Sequence, residues 1–500
     1  MKNLRVFIFQ QHWFHLGSLL EATIANYQSY NSITFYNLNK NLFVKTLDRH
    51  QDFLGSKLFN SPPESVMTNF LANYLHDRKK EFAYINVELP RNIQFDNLLN
   101  GLVDIIDLQK YQWDGTALGM AVSSFLISLT KDSNPKLDTY RKLISNLEST
   151  YFQIYNYLSS LGFNNLEDEI WICNGRPFHE RTVVEYARRN LISMKYYEIG
   201  GEGGNQERWI LHDNSPHDRI THQDSIKEHF NDSKPNLGLI HEWFQSQLPG
   251  GENVFAKKFQ PQIELDSLEN YFVYFSSSDD EVSAISLDWS SSWQNQLNAV
   301  NALIKYFNAN PKLKLVIRVH PNQNNKSTHD KNKWKSLVSG SSNVVIYNYD
   351  SNIDSYQLLS RAKGVITFGS TIGVEAAFLK KPSALLARSR WDCLIPHEYL
   401  KNVEDIANWI DNVCVDKGPN DVEIEACYLG SLMWGHYMKT AGNSWSIIKL
   451  KRDLRKINAG YLDGKPLKPP ILVIAITRLM RFLRLHLIEK RIVLNKLNRF

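Results

Sequence analysis

The stretch GVITFGSTIGVEAAFLKKPSALL, residues 364–386, decides the fold class that this sequence predicts. It opens on a short apolar run of strand type, GVITF, passes through a Gly-Ser-Thr turn at 369–371 and continues as a helical pattern. A second apolar run, SALLA, follows at 383–387. Two short buried-type strands joined by a turn and a helix predict a βαβ unit, in which the strands run parallel.

Further runs of the same kind precede this unit, with helical patterns between most of them. A helix is predicted over 293–308, and the runs themselves stand at 271–275, 313–319 and 344–347. This alternation is typical of a doubly wound parallel sheet, so we predict a nucleotide-binding Rossmann lobe. The earlier part of the chain predicts another α/β lobe with helical insertions, because strand-type runs recur there at 4–9, 82–87, 169–173 and 195–199.

Four segments are predicted along the 500 residues, a length too great for one ordinary core. The first lobe covers 1–265 and the second lobe covers 266–415. A return segment at 416–468 follows, in which a helix over 422–438 crosses back to the first lobe. The last segment, 469–500, is predicted to be a basic amphipathic helix.

Composition argues against several classes of protein. A net charge of +5, from 57 basic and 52 acidic residues, is too small an excess to predict a nucleic-acid partner. The four cysteines lie far apart without metal-type spacing, which predicts neither disulfides nor a zinc site and favours a reducing compartment. The sequence has no uncharged apolar run of about 20 residues that would span a bilayer.

The last 30 residues predict contact with a membrane surface. Residues 471–500 carry a net charge of +6, because seven basic residues stand against the single acidic Glu489. Apolar residues lie between the basic ones at helical spacing, which is typical of a helix in an anionic membrane interface. We therefore expect a cytoplasmic protein held peripherally on the inner face of the plasma membrane; a helix packed on the protein is the alternative. The basic residues are Arg478, Arg481, Arg484, Lys490, Arg491, Lys496 and Arg499.

Candidate ligand-binding residues follow the predicted strands of the second lobe. Ligands of open parallel sheets lie beyond the carboxyl ends of the strands, so these positions should share one edge. Ser277 follows the run at 271–275, and Arg318, His320 and Pro321 end or follow the next run. The imidazole at such a position could donate a hydrogen bond to a phosphate.

The turn at 369–371 opens a predicted helix with Ser370 or Thr371 as its N-cap. Free backbone N–H groups and the helix dipole at such a start favour a phosphate. Glu375 stands further into the same helix, where its carboxylate could accept hydrogen bonds from ribose hydroxyls. An ordinary capped helix with a solvated Glu375 is the alternative.

Two motifs, RVHPN at 318–322 and the stretch at 364–386, resemble those of the capsule polysaccharide biosynthesis glycosyltransferases, relatives of the bacterial Kdo and sialic acid transferases. The likeness extends over about 170–396. It implies the GT-B fold, two Rossmann-like lobes with the active site between them. The same helix also resembles that of the nucleotide-sugar 2-epimerases, which implies Glu375 as a ribose ligand. The capsule-type likeness implies that the donor phosphate is held by His320, Pro321, Ser370 and Thr371.

Polar residues cluster at predicted strand ends in the first lobe as well. Asn174 and Arg176 are candidate acceptor or sugar ligands. Glu198, Glu202 and Asp218 are candidate general bases or nucleophiles, because glycosyl transfer needs a carboxylate near the anomeric carbon or the acceptor hydroxyl. For each carboxylate the alternative is a solvated loop residue.

These features predict a nucleotide-sugar-dependent glycosyltransferase that extends a surface or capsular polysaccharide or its lipid-linked acceptor. A Kdo-like acidic sugar from a CMP donor is favoured, since one histidine and one helix start suffice for a single phosphate. No cofactor beyond the nucleotide-sugar co-substrate is expected and no metal is required, although Asp279 and Asp280 leave a divalent ion open. The alternatives are a nucleotide-sugar 2-epimerase of the same fold and an inactive polysaccharide-assembly component.

Overall fold

The structure is a computed structural model. It describes residues 1–9, 13–38, 63–90, 97–200, 208–247, 270–289, 291–326, 328–415, 418–453, 456–462 and 465–466. Three of the predictions lie outside these residues, namely the lobe boundary at 265, the candidate carboxylate Glu202 and the tail at 469–500.

The first sheet is built from the amino-terminal half of the chain together with one late strand. Its strands are β1 (Lys2–Ile8), β2 (Tyr30–Asn37), β3 (Glu81–Asn86), β4 (Asp168–Cys173), β5 (Ser193–Gly200), β6 (Arg208–His212) and β13 (Asn443–Ser444). Their spatial order is β13-β6-β5-β4-β1-β2-β3. The strands β1 to β5 pair in parallel, whereas β6 and β13 are antiparallel to their neighbours. The order 3-2-1-4-5 is that of a Rossmann unit.

Helices lie between the strands of this sheet and continue along the chain after it. They are α1 (Trp13–Asn26), α2 (Pro63–His76), α3 (Ile105–Lys110), α4 (Leu118–Thr130), α5 (Arg141–Ser160), α6 (Phe178–Arg189), α7 (Arg219–Asp232) and α8 (Leu237–Gln247). Central strand β4 is buried along its whole length, since apolar side chains pack on both faces of the sheet. The helical insertions predicted for this lobe include α4 and α5, the latter preceded by a 3₁₀ turn at Leu137–Tyr140.

The second sheet is parallel throughout. Its strands are β7 (Tyr271–Phe275), β8 (Lys314–Arg318), β9 (Val344–Tyr347), β10 (Gly364–Thr367), β11 (Ser383–Leu385) and β12 (Glu398–Tyr399), in the order β12-β11-β10-β7-β8-β9. The predicted strands are all present, and the short edge strand β12 was not predicted. The helices are α9 (Asp279–Ser283), α10 (Gln296–Ala309), α11 (Thr328–Lys335), α12 (Ser355–Arg361), α13 (Ile372–Phe378), α14 (Val403–Cys414) and α15 (Asp421–Thr440).

The two Rossmann-like lobes of the GT-B prediction are therefore confirmed. An apolar cluster joins them, in which α7 and α8 pack with α13 and α15. The ring of Phe244 in α8 stacks on that of Phe378 in α13, with 3.7 Å between the ring centroids. Helix α15 begins with a capping box, in which Asn420 and Glu423 satisfy each other's backbone N–H groups.

After α15 the chain returns to the first sheet through β13 and then forms a small antiparallel sheet, which was not predicted. Its strands are β14 (Lys449–Asp453), β15 (Lys456–Leu462) and β16 (Lys465–Pro466). Among the residues that the structure describes, no helix is long and apolar enough to cross a membrane.

Candidate active site

Each sheet has a switch point, where the strand order reverses between its first and fourth strands, and ligands of such sheets bind outside the carboxyl ends at this point. In the first sheet the switch point lies between β1 and β4, and residues 174–176 follow β4. In the second sheet it lies between β7 and β10, which 276–278 and 369–371 follow. Five of the twelve predicted site residues stand at these two points, namely Asn174, Arg176, Ser277, Ser370 and Thr371.

The turn after β4 places Asn174 at the centre of a hydrogen-bond chain. Asn174 and Gly175 both adopt left-handed backbone conformations, with φ of 57° and 80°. Glycine is required at the second position, because a Cβ there would lie 2.6 Å from the ring of Tyr196. The turn directs the Asn174 amide toward Glu198 of β5, to which its Nδ2 donates a hydrogen bond.

His217 completes this chain from the loop before α7. Its Nε2 lies 2.8 Å from Asn174 Oδ1, which also accepts a hydrogen bond from the Arg176 N–H at 3.2 Å. Burial and the neighbouring guanidinium of Arg176 hold the pKa of His217 well below its usual value. The ring is therefore neutral, and its Nε2–H donates to Asn174. The amide in turn fixes the orientation of the Glu198 carboxyl group.

Glu198 has the environment of a proton acceptor. Burial raises its pKa, and the positive charges of Arg390 and Arg176 together with the Asn174 hydrogen bond oppose that rise. A carboxylate with a raised pKa is a stronger base, which suits the removal of a proton from a hydroxyl group. Glu198 thus has the basicity that a general base needs, and its catalytic role remains a prediction.

Asp218 has a different environment. Its exposed side chain caps α7, where it accepts hydrogen bonds from the N–H groups of Ile220 at 3.1 Å and Thr221 at 2.9 Å. N-capping accounts for an aspartate at this position. The contacts of Asp218 are thus those of a helix cap, and its role as a base or nucleophile remains a prediction.

In the second lobe, two serines after β7 hold the strand-end loops together. Ser276 Oγ accepts a hydrogen bond from the His320 N–H at 2.7 Å. Ser277 Oγ donates to the Phe368 carbonyl oxygen at 2.8 Å, and the Ser277 N–H donates to Gln296. Ser277 is buried, so its hydroxyl connects the β7 and β10 ends, which differs from the predicted contact with the donor.

His320 presents an uncharged hydrogen-bond donor. Its Nδ1 accepts a hydrogen bond from the Asn322 N–H at 3.1 Å, so the ring proton resides on Nε2. Burial lowers its pKa to about 4, with further contributions from Lys326 and Arg318. Pro321 is the first residue of the 3₁₀ turn that His320 caps, and its fixed φ suits that position.

Arg318 was predicted as a ligand-binding residue, but its side chain contacts the protein backbone. Its guanidinium is buried and donates to the backbone carbonyl oxygens of Val319 at 3.1 Å and Asn348 at 2.7 Å. Burial also lowers its pKa to about 10. The side chain holds the loop after β9 in place.

The turn after β10 contains the remaining predicted donor ligands. Gly369 has φ of 81°, and a Cβ there would lie 2.8 Å from the Arg388 carbonyl oxygen. Thr371 is exposed at the N-cap of α13 without a side-chain capping bond, and Ser370 is half-buried beside it. Glu375 is buried, and its Oε1 accepts a hydrogen bond from the Tyr356 hydroxyl at 3.4 Å. Their roles toward a nucleotide remain predictions.

Arg390 is the site residue that the sequence reasoning missed. It follows β11 in the second lobe, and its charge opposes the rise in the pKa of Glu198 and lowers that of His217. The same charge acts on His212, whose pKa burial lowers to about 4. Its position two residues after Arg388, beyond the run SALLA, was the available signal. The charge of Arg390 in the second lobe thus acts on titratable groups of the first lobe.

Polar contacts join the two lobes at two places. Arg219 of α7 and Asp392 of the second lobe form an ion pair at 2.6 Å. Lys131 after α4 lies 3.8 Å from Asp280 in α9, which also pairs with the buried Lys326. The described residues include no cluster of three or more side chains that could hold a metal ion.

Two facing Rossmann-like lobes with polar strand ends at a shared cleft define a protein of the GT-B class. Residues 258–393 match the model of a family described as capsule polysaccharide biosynthesis protein. The match confirms, over these residues, the family resemblance carried by the motifs at 318–322 and 364–386. It supports a transferase role in capsule polysaccharide biosynthesis.

Several solved structures are similar to this chain at low identity. The UDP-GlcNAc 2-epimerase of Neisseria meningitidis, bound to UDP-GlcNAc, is 11% identical with a TM-score of 0.29, covering 88% of this chain and 98% of its own. KpsC of Thermosulfurimonas dismutans, a β-Kdo 2,4 transferase, is 10% identical with a TM-score of 0.31, covering 52% and 78%. CalG4, the calicheamicin glycosyltransferase, is 11% identical with a TM-score of 0.27, covering 87% and 95%. No curated protein sequence matches the chain.

Proposed function

We propose that this protein is a nucleotide-sugar-dependent glycosyltransferase. It would move a Kdo-like acidic sugar from a CMP donor to a growing surface or capsular polysaccharide, or to the lipid-linked acceptor of one. The observation that carries the proposal is the hydrogen-bonded chain of His217, Asn174 and Glu198 at the strand ends of the first sheet, on which the charge of Arg390 in the second lobe acts. In this proposal the carboxyl base and the hydrogen-bond donors of the second lobe border one cleft.

In this proposal Glu198 is the general base. It accepts the proton of the acceptor hydroxyl as the oxygen of that hydroxyl attacks the anomeric carbon of the donor. Asn174 keeps the carboxyl group in one orientation, because its amide is fixed in turn by His217 at 2.8 Å. A base held in one orientation loses less entropy in reaching the transition state.

The second lobe supports departure of the nucleotide. His320 donates its Nε2–H to the phosphate, and it does so without a charge at neutral pH because its pKa is lowered to about 4. Arg390 supplies the positive charge that a leaving phosphate needs. Ser370 and Thr371, at the end of β10, are the further predicted phosphate ligands.

Calorimetric titration with CMP and UDP tests the nucleotide. We expect CMP to bind more tightly, His320→Ala to lose measurable CMP affinity, and Ser370→Ala to reduce it, because each variant removes a hydrogen bond to the phosphate. His241→Ala serves as the control, since His241 is an exposed histidine of α8. Tighter UDP binding that depends on Glu375 would contradict the CMP assignment and favour the 2-epimerase or a UDP-sugar transferase.

Mass spectrometry of the products tests the reaction itself. The protein is incubated with a saccharide acceptor and a panel of nucleotide sugars, and a mass increase of one sugar residue on the acceptor is expected. A donor converted to its epimer with no change in acceptor mass would instead support the epimerase. Nucleotide binding without either product would support an inactive assembly component.

We also propose that residues 471–500 attach the enzyme to an anionic membrane surface through their net charge of +6. Deletion of this segment is expected to leave a folded enzyme and to move it from the membrane fraction to the soluble fraction. Fractionation of cells at low and high salt measures the change. Membrane association of the truncated protein at both salt concentrations would contradict the proposal.

A further inference from the structure

The backbone of Arg176 is held in the turn between β4 and α6, at the switch point of the first sheet. Its N–H donates a hydrogen bond to Asn174 Oδ1 at 3.2 Å. Its carbonyl oxygen accepts hydrogen bonds from Arg181 Nε at 3.3 Å and from Ser124 Oγ at 3.5 Å. The residue is therefore fixed at the edge of the sheet where ligands of such sheets bind.

The side chain of Arg176, by contrast, has no partner. It is half-buried, and within the described part of the chain its guanidinium forms neither a hydrogen bond nor an ion pair. A guanidinium has five N–H donors and a permanent positive charge. A partly buried charge is costly unless a counter-charge and hydrogen bonds compensate it, so a ligand that supplies both suits this position.

The arginines of the following helix α6 do have partners. Arg181 Nη2 donates to the Ile285 carbonyl oxygen at 2.7 Å. Arg188 pairs with Glu185 at 2.7 Å, and Arg189 pairs with Asp114 at 3.2 Å. These side chains stabilise the protein itself, which leaves the guanidinium of Arg176 as the one in this segment that is available to a ligand.

The charges around His217 are positive. The guanidinium groups of Arg176, Arg390 and Arg181 all lower its pKa, and among the described residues no acidic group acts to raise it. Glu198 is the one carboxylate of the hydrogen-bond chain, and its pKa is raised by burial, which disfavours its charged form. Positive charge therefore exceeds negative charge at this end of the sheet, and an incoming anion would be stabilised there.

We propose that Arg176 binds an anionic group of the acceptor, either a carboxylate or a phosphate. The planar fork of a guanidinium forms two parallel hydrogen bonds with either group. The inference rests on the proposed function, in which Glu198 takes the proton of the acceptor hydroxyl and the acceptor therefore lies at this end of the first sheet. It adds the substrate class, an acidic saccharide or a saccharide phosphate in place of a neutral saccharide.

Titration with three sugars, followed by saturation-transfer NMR, tests this inference. Glucuronic acid carries a carboxylate, glucose 6-phosphate carries a phosphate, and glucose carries neither. We expect at least one of the two anions to bind more tightly than glucose. Arg176→Gln should weaken that binding about tenfold or more, because it removes a charge-assisted hydrogen bond. The anion that loses more affinity in this variant identifies the group that Arg176 binds.

Arg189→Gln is the matched control. It makes the same chemical change in α6, but Arg189 is exposed and paired with Asp114, so anion binding should not change. Arg176→Lys keeps the charge and loses the planar fork, so it should weaken binding less than Arg176→Gln does. If Arg176→Gln fails to fold, the loss in Arg176→Lys relative to Arg189→Gln decides the result.

Three results would overturn the inference. They are binding of glucose as tight as that of both anions, failure of both anions to bind, and anion binding that neither change at Arg176 weakens. Phosphate binding that His320→Ala weakens and Arg176→Gln does not would assign the phosphate to the predicted donor site, an instance of the third result. The titrations contain no donor and need no turnover. Anion binding that depends on Arg176, without any glycosyl transfer to an acidic acceptor, would therefore contradict the proposed function and leave the anion site in place.

Discussion

Glu198→Gln is expected to lower the rate of glycosyl transfer by about 100-fold or more, the usual range for loss of a general base. The amide keeps the shape of the carboxyl group, but it cannot accept the proton of the acceptor hydroxyl. Binding of the nucleotide should persist, since the predicted phosphate ligands lie in the other lobe. Turnover and nucleotide affinity, measured on the same preparation, separate the two effects.

Asp218→Asn is the matched control for this variant. Asparagine caps a helix as well as aspartate does, so both α7 and near-normal turnover should be retained. Near-normal turnover in Glu198→Gln together with loss of turnover in Glu202→Gln or Asp218→Asn would assign the base to that other carboxylate.

The pH profile of turnover gives a second measure of Glu198. A base must be deprotonated to act, so turnover should fall as the pH drops through the pKa of Glu198, which burial raises. The hydrogen bond from Asn174 lowers this pKa, so Asn174→Ala should raise it and move the acidic limb of the profile to higher pH. An unchanged acidic limb would show that another group titrates there.

Asp392→Ala is expected to cause the largest loss of stability, about 3 kcal/mol or more, as for removal of one partner from a buried ion pair. The Asp392 side chain is 2% exposed and accepts a hydrogen bond from Arg219 at 2.6 Å. It also lies 3.2 Å from Gln223 Nε2 and 3.4 Å from an Arg388 nitrogen. The variant would leave these donors without their shared acceptor where the two lobes meet.

Asp224→Ala is the control for this loss. Asp224 pairs with Lys227 on the same helix α7, but both side chains are largely solvated, at 55% and 41% exposure. An exposed pair contributes about 1 kcal/mol or less. The midpoint of thermal unfolding should therefore fall clearly more in Asp392→Ala. Equal and small decreases of this midpoint in the two variants would contradict a stabilising role of the Arg219–Asp392 pair between the lobes.

Local patterns were sufficient to predict the elements around the cleft. The runs at 271–275, 344–347 and 364–368 are apolar over a length that suits only a short buried strand, and each became a strand of the parallel sheet. The small antiparallel sheet after α15 was missed. Its strand β15, KINAGYL, has neither a continuous apolar run nor a clear alternation.

The candidate site was predictable as a set of positions, but the contacts of its members were not. Arg318 and Arg390 both stand near strand ends of the second lobe. The structure turns Arg318 into the protein, onto the Asn348 carbonyl oxygen at 2.7 Å, whereas the charge of Arg390 acts on Glu198. Nothing in the local sequence distinguishes two arginines of this kind.

The two Rossmann-like lobes and the position of His320 at a strand end follow from local sequence patterns, because strand and helix periods are properties of neighbouring residues. Tertiary packing is needed to join His217, Asn174 and Glu198 in one hydrogen-bonded chain and to bring the charge of Arg390 to act on it from the other lobe. These residues are brought together by the folding of distant segments, and the burial that shifts their pKa values exists only once both lobes are packed.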